Sequence, residues 1–247
     1  MKPSKAKNPA AKPAKRPAVM TGAAIPVLRW PPDEDRVEAI FERLSSVMPE
    51  PKTELDFSDP FTLVVAVALS AQATDVSVNK ATERLFKVAD TPEKMLALGE
   101  EGLVPYIASI GLYRGKARNV IALSRIVLEQ HGGEVPLNRA DLQALPGVGR
   151  KTASVVLNEL GIEAAIAVDT HVFRVSHRLG LANAGTPDKV EAQLFKVVPE
   201  DWLPKAHHWL ILHGRYTCTA RKPKCLSCII ADLCPSRAGL LALGEAG

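Results

Sequence analysis

The sequence has few cysteines, few aromatic residues and no long apolar run. Its four cysteines all lie after residue 217, and aromatic residues make up 5% of the 247 positions. The longest apolar stretch, at residues 61–69, is far shorter than the roughly 18 residues that a membrane span needs. We therefore expect no transmembrane segment and no membrane partner. With 47% hydrophobic residues, the chain can build the core of one large domain or two smaller ones.

Acidic residues are absent from the first 29 positions, which hold seven lysines and arginines and several prolines. Such a segment has too little apolar surface to order itself, so we predict a disordered basic tail over residues 1–29. A DNA-tethering arm is the alternative. No apolar segment follows the basic residues, which argues against a secretory signal, whereas organellar or nuclear targeting stays open. Residues 30–247 hold 24 basic and 27 acidic residues, so any DNA affinity of this part must come from locally arranged donors and not from its overall charge.

Helical periodicity of the apolar residues dominates the rest of the chain and predicts an all-α protein. The apolar run at 61–69 also suits a buried strand, but no comparable strand lies near it, so a buried helix is the better interpretation. Proline follows threonine at Thr91 and Thr186, as at helix starts. The predicted helices cover residues 36–47, 61–69, 74–88, 92–98, 116–130, 140–145, 151–160, 170–179, 187–198 and 204–216.

A glycine-rich turn at residues 145–151, with the sequence LPGVGRK, leads directly into one of these helices. Gly147 and Gly149 let the backbone turn tightly and approach a phosphate, which helix N-termini attract. Lys151 would then stand on the first helical turn, where the positive helix end and Arg150 disfavour its charged form. An uncharged lysine is a nucleophile that can form a Schiff base. Asp169, in the segment VDTH, is the candidate partner.

The four cysteines, Cys218, Cys225, Cys228 and Cys234, follow a C-x6-C-x2-C-x5-C spacing. Four thiols this close together, without a secretory signal, favour metal ligation over disulfides. The spacing alone does not separate a structural zinc site from a [4Fe–4S] cluster, because both use four thiolates.

Five ordered motifs together resemble the endonuclease III branch of the helix-hairpin-helix DNA glycosylases. The resemblance runs from about residue 35 to about residue 235. The motifs are LSAQATD at 69–75, IGLY at 110–113, LPGVGRK at 145–151 with VDTH at 168–171, HWLILHGR at 208–215, and the cysteine spacing.

The resemblance implies a helix-hairpin-helix glycosylase fold with two domains and the active site in the cleft between them. It implies a six-helix domain at 53–163 and a discontinuous cluster domain at 30–52 and 164–247. It also implies a [4Fe–4S] cluster that is not a reactant, and a DNA-contacting loop that carries Arg221, Lys222 and Lys224. The alternative for that loop is a solvated basic segment.

The family comparison also implies a bifunctional DNA glycosylase and AP lyase of base excision repair. Lys151 would attack the sugar of an oxidised pyrimidine such as thymine glycol, and Asp169 would accept its proton. Adenine glycosylases of the family lack this lysine. The alternative roles are a phosphate-binding lysine and a helix-capping aspartate. A non-catalytic, cluster-bearing damage sensor or weakly active relative is the alternative function.

Gln72 and Leu112 match the residues with which the family opens the duplex. Glutamine can pair with the orphaned base and leucine can replace lost stacking, although core packing is the alternative for Leu112. We expect His171 near the active site, with Ser70 and Asp75 as further pocket candidates. His207, His208 and His213 are assigned to packing or hydrogen bonding. The expected partner is double-stranded DNA with damaged bases or abasic sites, bound by a monomer. The expected location is cytoplasmic, at the nucleoid in a bacterium.

Overall fold

The structure, a computed structural model, describes residues 29–242 and residue 244. The tail predicted over residues 1–29 therefore lies outside the described residues except for Arg29. The described part contains eleven α-helices, one 3-10 turn and no strand, which confirms the all-α prediction. The helices are α1 (Glu34–Val47), α2 (Pro60–Ser70), α3 (Asp75–Leu85), α4 (Pro92–Ile107), α5 (Tyr113–His131), α6 (Arg139–Ala144), α7 (Arg150–Glu159), α8 (Thr170–Leu179), α9 (Pro187–Val197), α10 (Leu203–Tyr216) and α11 (Arg237–Ala242), with the 3-10 turn at Glu200–Trp202.

Each of the ten predicted helices has a counterpart among α1–α10. The largest difference is α4, which was predicted to end at residue 98 and continues to Ile107 through a kink at Gly99, where φ is 68°. Two further breakers, Gly102 and Pro105, weaken the helical signal of this half. Packing overrides that preference, because Leu103 and Ile107 are fully buried. The short α11 and the 3-10 turn were not predicted.

Polar side chains cap several of the helix starts. At α2, the Asp59 side chain accepts a hydrogen bond from the Thr62 amide, and the Thr62 hydroxyl accepts one from the Asp59 amide. Thr91 caps α4 as expected, whereas Thr186 makes no side-chain cap bond at α9. These caps satisfy amide groups that a helix start leaves without partners, and they set where α2 and α4 begin.

The described residues form two separate hydrophobic cores. The first core is built by α2–α7 around α2, in which residues 61–69 are all buried. The second core joins α1 to α8–α10, with Phe41 and Trp209 in contact at 6.1 Å between ring centroids. Trp209 also donates a hydrogen bond to the Met48 carbonyl at 2.8 Å. The division of the chain into domains 53–163 and 30–52 plus 164–247 stays a prediction, which these two cores support.

Polar contacts join the two cores. Glu159 of α7 and His208 of α10 approach to 2.9 Å with both side chains almost fully buried. Arg150 at the start of α7 pairs with Glu191 of α9 at 2.5 Å. His208 also lines the cleft described below. No helix in the described residues is both long and apolar enough to cross a membrane.

Candidate active site

A cleft of about 840 Å³ opens between the two cores and brings together residues that are far apart in the chain. Lys151 reaches it from α7 of the first core, and Asp169 and His171 reach it from α8 of the second core. Ser70, Gln72 and Asp75 line it as well. Leu112, the two hairpin glycines, Arg150 and the cations of the cysteine loop are not part of its lining. The sequence-predicted residues thus divide into a cleft set and a surrounding set.

The glycine hairpin positions Lys151 on the first turn of α7. Gly147 has a φ of 80°, and a Cβ there would stand 2.9 Å from the Asn119 side chain of α5. Only glycine meets both conditions without strain. Gly149 is the N-cap residue, and no side chain of the described residues caps α7. The first amide groups of α7 are therefore available to an anion such as a phosphate.

Arg150 does not stand free beside the hairpin in this structure. Its guanidinium pairs with Glu191 at 2.5 Å and with Asp188 at 3.1 Å, both on α9. Burial raises the pKa of the Glu191 carboxyl, although the nearby Arg150 acts in the opposite direction. Arg150 therefore joins α7 to α9, and the predicted DNA contact of this residue requires it to leave these carboxylates.

Asp169 is the N-cap of α8 and also faces the cleft. Its Oδ1 accepts hydrogen bonds from the His171 and Val172 amides, both at 2.8 Å. Oδ2 receives no hydrogen bond from the described residues. The carboxylate is thus held in a fixed orientation by one oxygen, while the other stays available to accept a proton or to face a cation. Capping and chemistry are compatible at this position.

His171 is oriented by an arginine of its own helix. Arg174 lies with a guanidinium nitrogen 3.2 Å from His171 Nδ1 and 2.8 Å from the Gly214 carbonyl oxygen. Since a guanidinium only donates, Nδ1 accepts, and the proton of a neutral ring lies on Nε2. A Cβ on Gly214 would stand 2.9 Å from His171 Cβ. The glycine of the HGR motif therefore lets α10 approach α8 at the cleft.

An ionic cluster at the cleft wall was not predicted as a unit from the sequence. Arg215 of α10 pairs with Asp75 of α3 at 2.5 Å and also with Glu54, which in turn accepts a hydrogen bond from the Tyr216 hydroxyl. All these contacts join the second core to the first. The residues of each pair are 140 or more positions apart in the chain, so no local pattern relates them.

Two adjacent histidines of α10 line the cleft, and both are buried. His208 pairs with Glu159, in agreement with the hydrogen-bonding role expected for it. His207 Nδ1 has no hydrogen-bond partner among the described residues. Burial lowers the pKa of His207 to about 3, with further lowering by His208, Lys151 and Arg215. His207 is therefore a neutral ring in a cationic neighbourhood.

Gln72 and Leu112 are the two non-glycine residues in the described chain with a positive φ, at 57° and 60°. Both are exposed, and Leu112 is 68% accessible to solvent. Their turns are neighbours, because a Cβ on Gly111 would lie 3.8 Å from the Gln72 carbonyl oxygen. Leu112 is therefore not a core residue. Left-handed backbone costs about 1–2 kcal/mol at a side chain such as leucine, and such strain is concentrated at functional sites.

All four cysteines line one cavity, together with His213 and Arg237. Among the described residues, no three Cys, His, Asp or Glu side chains stand close enough together for one metal ion. Burial raises the pKa of Cys234 to about 11, so this thiol ionises at neutral pH only when a metal takes the place of its proton. Four cysteine sulfurs spaced around a shared cavity suit a cluster that takes one thiolate per iron. Cys218, Cys225, Cys228 and Cys234 would hold it and fix the loop between them.

Two arginines of α8 hold the first part of the cysteine loop. Arg178, which is 6% exposed, donates to the Thr219 carbonyl at 2.7 Å, to the Ala220 carbonyl at 3.0 Å and to Cys218 Sγ at 3.4 Å. Arg174 donates to the Cys218 carbonyl at 3.0 Å. The three loop cations that follow are all exposed: Arg221, Lys222 and Lys224. A single helix therefore carries Asp169 at its start and anchors the cysteine loop at its end.

Comparison with known proteins identifies the family. Residues 65–200 match the family model described as HhH-GPD superfamily base excision DNA repair protein. Residues 218–234 match the iron-sulfur binding domain of endonuclease III. Endonuclease III of Escherichia coli K12 is 61% identical over 195 residues, which cover 79% of this chain and 92% of the relative. The chain belongs to the endonuclease III family.

Other relatives agree with this assignment. Endonuclease III of Haemophilus influenzae is 57% identical, with 81% of this chain and 94% of the relative covered. A solved structure of a trapped endonuclease III–DNA covalent intermediate superposes with a TM-score of 0.79 at 42% identity, covering 85% of this chain and 99% of that chain.

Membership of the endonuclease III family confirms the predicted fold, enzyme class and cofactor. The protein is a base excision repair DNA glycosylase and AP lyase of the helix-hairpin-helix fold. Its cysteine loop binds a [4Fe–4S] cluster, so the zinc alternative is set aside. The protein binds DNA. The chemical roles of the individual site residues stay predictions.

Proposed function

We propose that this member of the endonuclease III family removes oxidised pyrimidines, such as thymine glycol, through a Schiff base on Lys151 and then cuts the strand by β-elimination. One observation carries the proposal: Lys151 and Asp169, from opposite cores, line the same cleft. The relative that was trapped as a covalent intermediate with DNA supports a covalent route.

The chemistry needs only groups that the cleft holds. The target nucleotide leaves the base stack to reach it. The Lys151 amine forms a bond to C1′ as the glycosidic bond breaks, and the departing base takes up a proton. Asp169, whose Oδ2 accepts no hydrogen bond from the described residues, accepts a lysine proton directly or through water and stabilises the positive charge on the sugar. The C1′–O4′ bond then breaks as O4′ takes up a proton, which opens the sugar ring and leaves an iminium at C1′. Loss of the 2′ proton from this iminium expels the 3′ phosphate.

The exposed, strained turns supply the groups that open the duplex. Leu112 fills the space that the flipped base leaves, and Gln72 offers a donor and an acceptor to the orphaned base. Because the Leu112 and Gln72 turns are neighbours, both side chains can enter the duplex at the same base-pair step. The uncapped start of α7, between Gly149 and Lys151, binds a backbone phosphate. His171 offers its Nε2 hydrogen to the sugar or to a phosphate.

The cluster positions the cations of the cysteine loop for contact with DNA. With both ends of the loop tied to iron and to Arg178, the cations Arg221, Lys222 and Lys224 face the DNA backbone at low entropic cost. The protein acts as a monomer on damaged or abasic double-stranded DNA. We also infer the domain division at 53–163 and 30–52 plus 164–247, and a location at the DNA in the cytoplasm.

Borohydride trapping tests this function. The probe is a duplex with one thymine glycol, and the proteins are the cluster-loaded wild type, Lys151→Ala and Lys52→Ala. Lys52 is the matched control because it is a second lysine that lines the cleft. We expect a covalent adduct with the wild type and Lys52→Ala, and none with Lys151→Ala.

Other outcomes each contradict a different part of the proposal. An adduct that survives in Lys151→Ala and disappears in Lys52→Ala moves the nucleophile to Lys52. Base release without an adduct makes the enzyme monofunctional on this lesion. No reaction with either thymine glycol or an abasic site supports the non-catalytic damage sensor instead.

A further inference from the structure

Helix α5 carries an exposed row of arginines that begins beside Leu112. Arg114, Arg118 and Arg125 are four and seven positions apart, so they share one face of a helix with 3.6 residues per turn. All three are exposed. None of them takes part in an ion pair with the described residues. We call these residues the α5 arginine row.

The row runs from the Leu112 turn to the glycine hairpin. Arg114 is two residues beyond Leu112. The Asn119 side chain, next to Arg118, lies so close to Gly147 that a Cβ there would stand 2.9 Å from it. Both ends of this path are features that the proposed function assigns to DNA. Residues 30–247 carry a net charge of −3 from 24 basic and 27 acidic residues. This row of exposed cations, which form no ion pair within the described part of the chain, therefore contrasts with the net negative charge of residues 30–247.

The neighbouring charges limit the active part of the row to its first two members. Glu129 follows Arg125 by four positions, so a negative charge lies on the same face at this end of the row. Lys116 does not contribute, because its side chain turns inward and is 8% exposed. The Arg114 guanidinium lies over the Tyr113 ring at 5.8 Å from the centroid, which restricts its motion without neutralising its charge. Arg114 and Arg118 are about 6 Å apart along the helix axis.

We propose that Arg114 and Arg118 bind backbone phosphates of double-stranded DNA outside the flipped nucleotide, along the surface between Leu112 and the hairpin. The guanidinium fork suits a phosphate and carries no base preference. The proposal rests on the proposed function, because Leu112 and the hairpin orient the DNA along α5. It adds a phosphate-binding surface to the hairpin and the cysteine loop.

The salt dependence of DNA binding tests the proposal. The probe is a duplex with one tetrahydrofuran abasic analogue, titrated with cluster-loaded protein at several salt concentrations. The slope of log K against log salt is negative, and each lost phosphate contact makes it less steep by about one. We expect the double variant Arg114→Gln/Arg118→Gln to have a slope about two units less steep than that of the wild type. The double variant Arg114→Lys/Arg118→Lys should keep a slope close to the wild-type value.

Arg84→Gln is the matched control. Arg84 is also exposed and also lies over a tyrosine ring, that of Tyr106 at 5.7 Å, but it belongs to α3. The salt slope of DNA binding by Arg84→Gln should therefore equal that of the wild type. A double glutamine variant with an unchanged slope, or an equal drop in Arg84→Gln, overturns the proposal. Borohydride trapping by the same preparations separates this failure from failure of the proposed chemistry, since it depends on Lys151.

Discussion

Replacing Leu112 with asparagine is expected to leave the fold at least as stable as before while it impairs lesion processing. Leu112 has a φ of 60° and a ψ of 25° at the start of α5. A left-handed conformation costs about 1–2 kcal/mol for most side chains, whereas asparagine adopts it readily. The substitution therefore relieves strain in the folded state.

The lost packing is smaller than this gain. Leu112 is 68% exposed, so only about a third of its side chain leaves water on folding. Full burial of a leucine contributes about 1.5–3 kcal/mol, so the substitution loses about 0.5–1 kcal/mol. The net change in the free energy of unfolding is between about zero and +1.5 kcal/mol. Leu123→Ala, at a fully buried position of the same helix, should instead cost about 2–5 kcal/mol.

Urea unfolding and single-turnover base release measure the two effects separately. We expect Leu112→Asn to keep its unfolding midpoint and to release thymine glycol at least about tenfold more slowly, which corresponds to about 1.4 kcal/mol in the barrier. Cleavage at an abasic site, where no base has to be flipped, should fall less. A stability loss above about 1.5 kcal/mol would show that Leu112 is packed, and unimpaired base release would refute its role in opening the duplex.

Three further predictions follow from other contacts. Because the pKa of His207 is lowered to about 3 from 6.5, its contribution to stability is complete above pH 6.5 and declines as the pH falls toward 3. Between pH 7.5 and pH 5, His207 should account for a loss of about 2 kcal/mol in the free energy of unfolding. Urea unfolding of His207→Gln should not show this loss. The same pH dependence in the variant and the wild type would contradict the prediction. Arg178→Met removes three hydrogen bonds from the cysteine loop, so chelators should bleach the broad absorbance near about 400 nm roughly tenfold faster, whereas equal rates would exclude an anchoring role. Asp59→Ala removes the reciprocal cap of α2 and should cost about 1 kcal/mol in thermal unfolding, with Ser46→Ala at an exposed position of α1 as a neutral comparison.

The residues that could be predicted from the sequence are those whose evidence is local. Lys151 follows a glycine turn that leads into a helix, and the four cysteines lie within seventeen positions. Helix capping was the alternative role for Asp169, and its Oδ1 does cap α8, which leaves the expected chemical role a prediction. The family resemblance then related these segments to a common cleft. Helical periodicity gave α1–α10 but failed in the second half of α4, where Gly102 and Pro105 obscure it.

The contacts that were not predicted join residues from distant parts of the chain. Arg215 and Asp75 are 140 positions apart, and their pairing depends on how the two cores meet. Arg150 was expected at the DNA, but acidic residues of α9 engage it. His207 was assigned to packing, because its apolar helix gave no sign that this face borders a cleft. The role of Arg178 depends on carbonyl groups of a loop whose path the sequence does not specify.

The construction of the second core from both ends of the described chain has a consequence for biosynthesis. Met48 and Trp209, joined by a hydrogen bond, are 161 positions apart, and a ribosome needs about 8–32 s to synthesise that interval. All residues of the first core are synthesised well before then, whereas α1 has no packing partners until α8–α10 have been synthesised. The cleft wall that carries Asp169 can settle only after α10 has emerged. On this order of events, the growing polypeptide acquires its capacity to cut DNA last, when the protein is nearly finished and the cysteine loop is ready for iron.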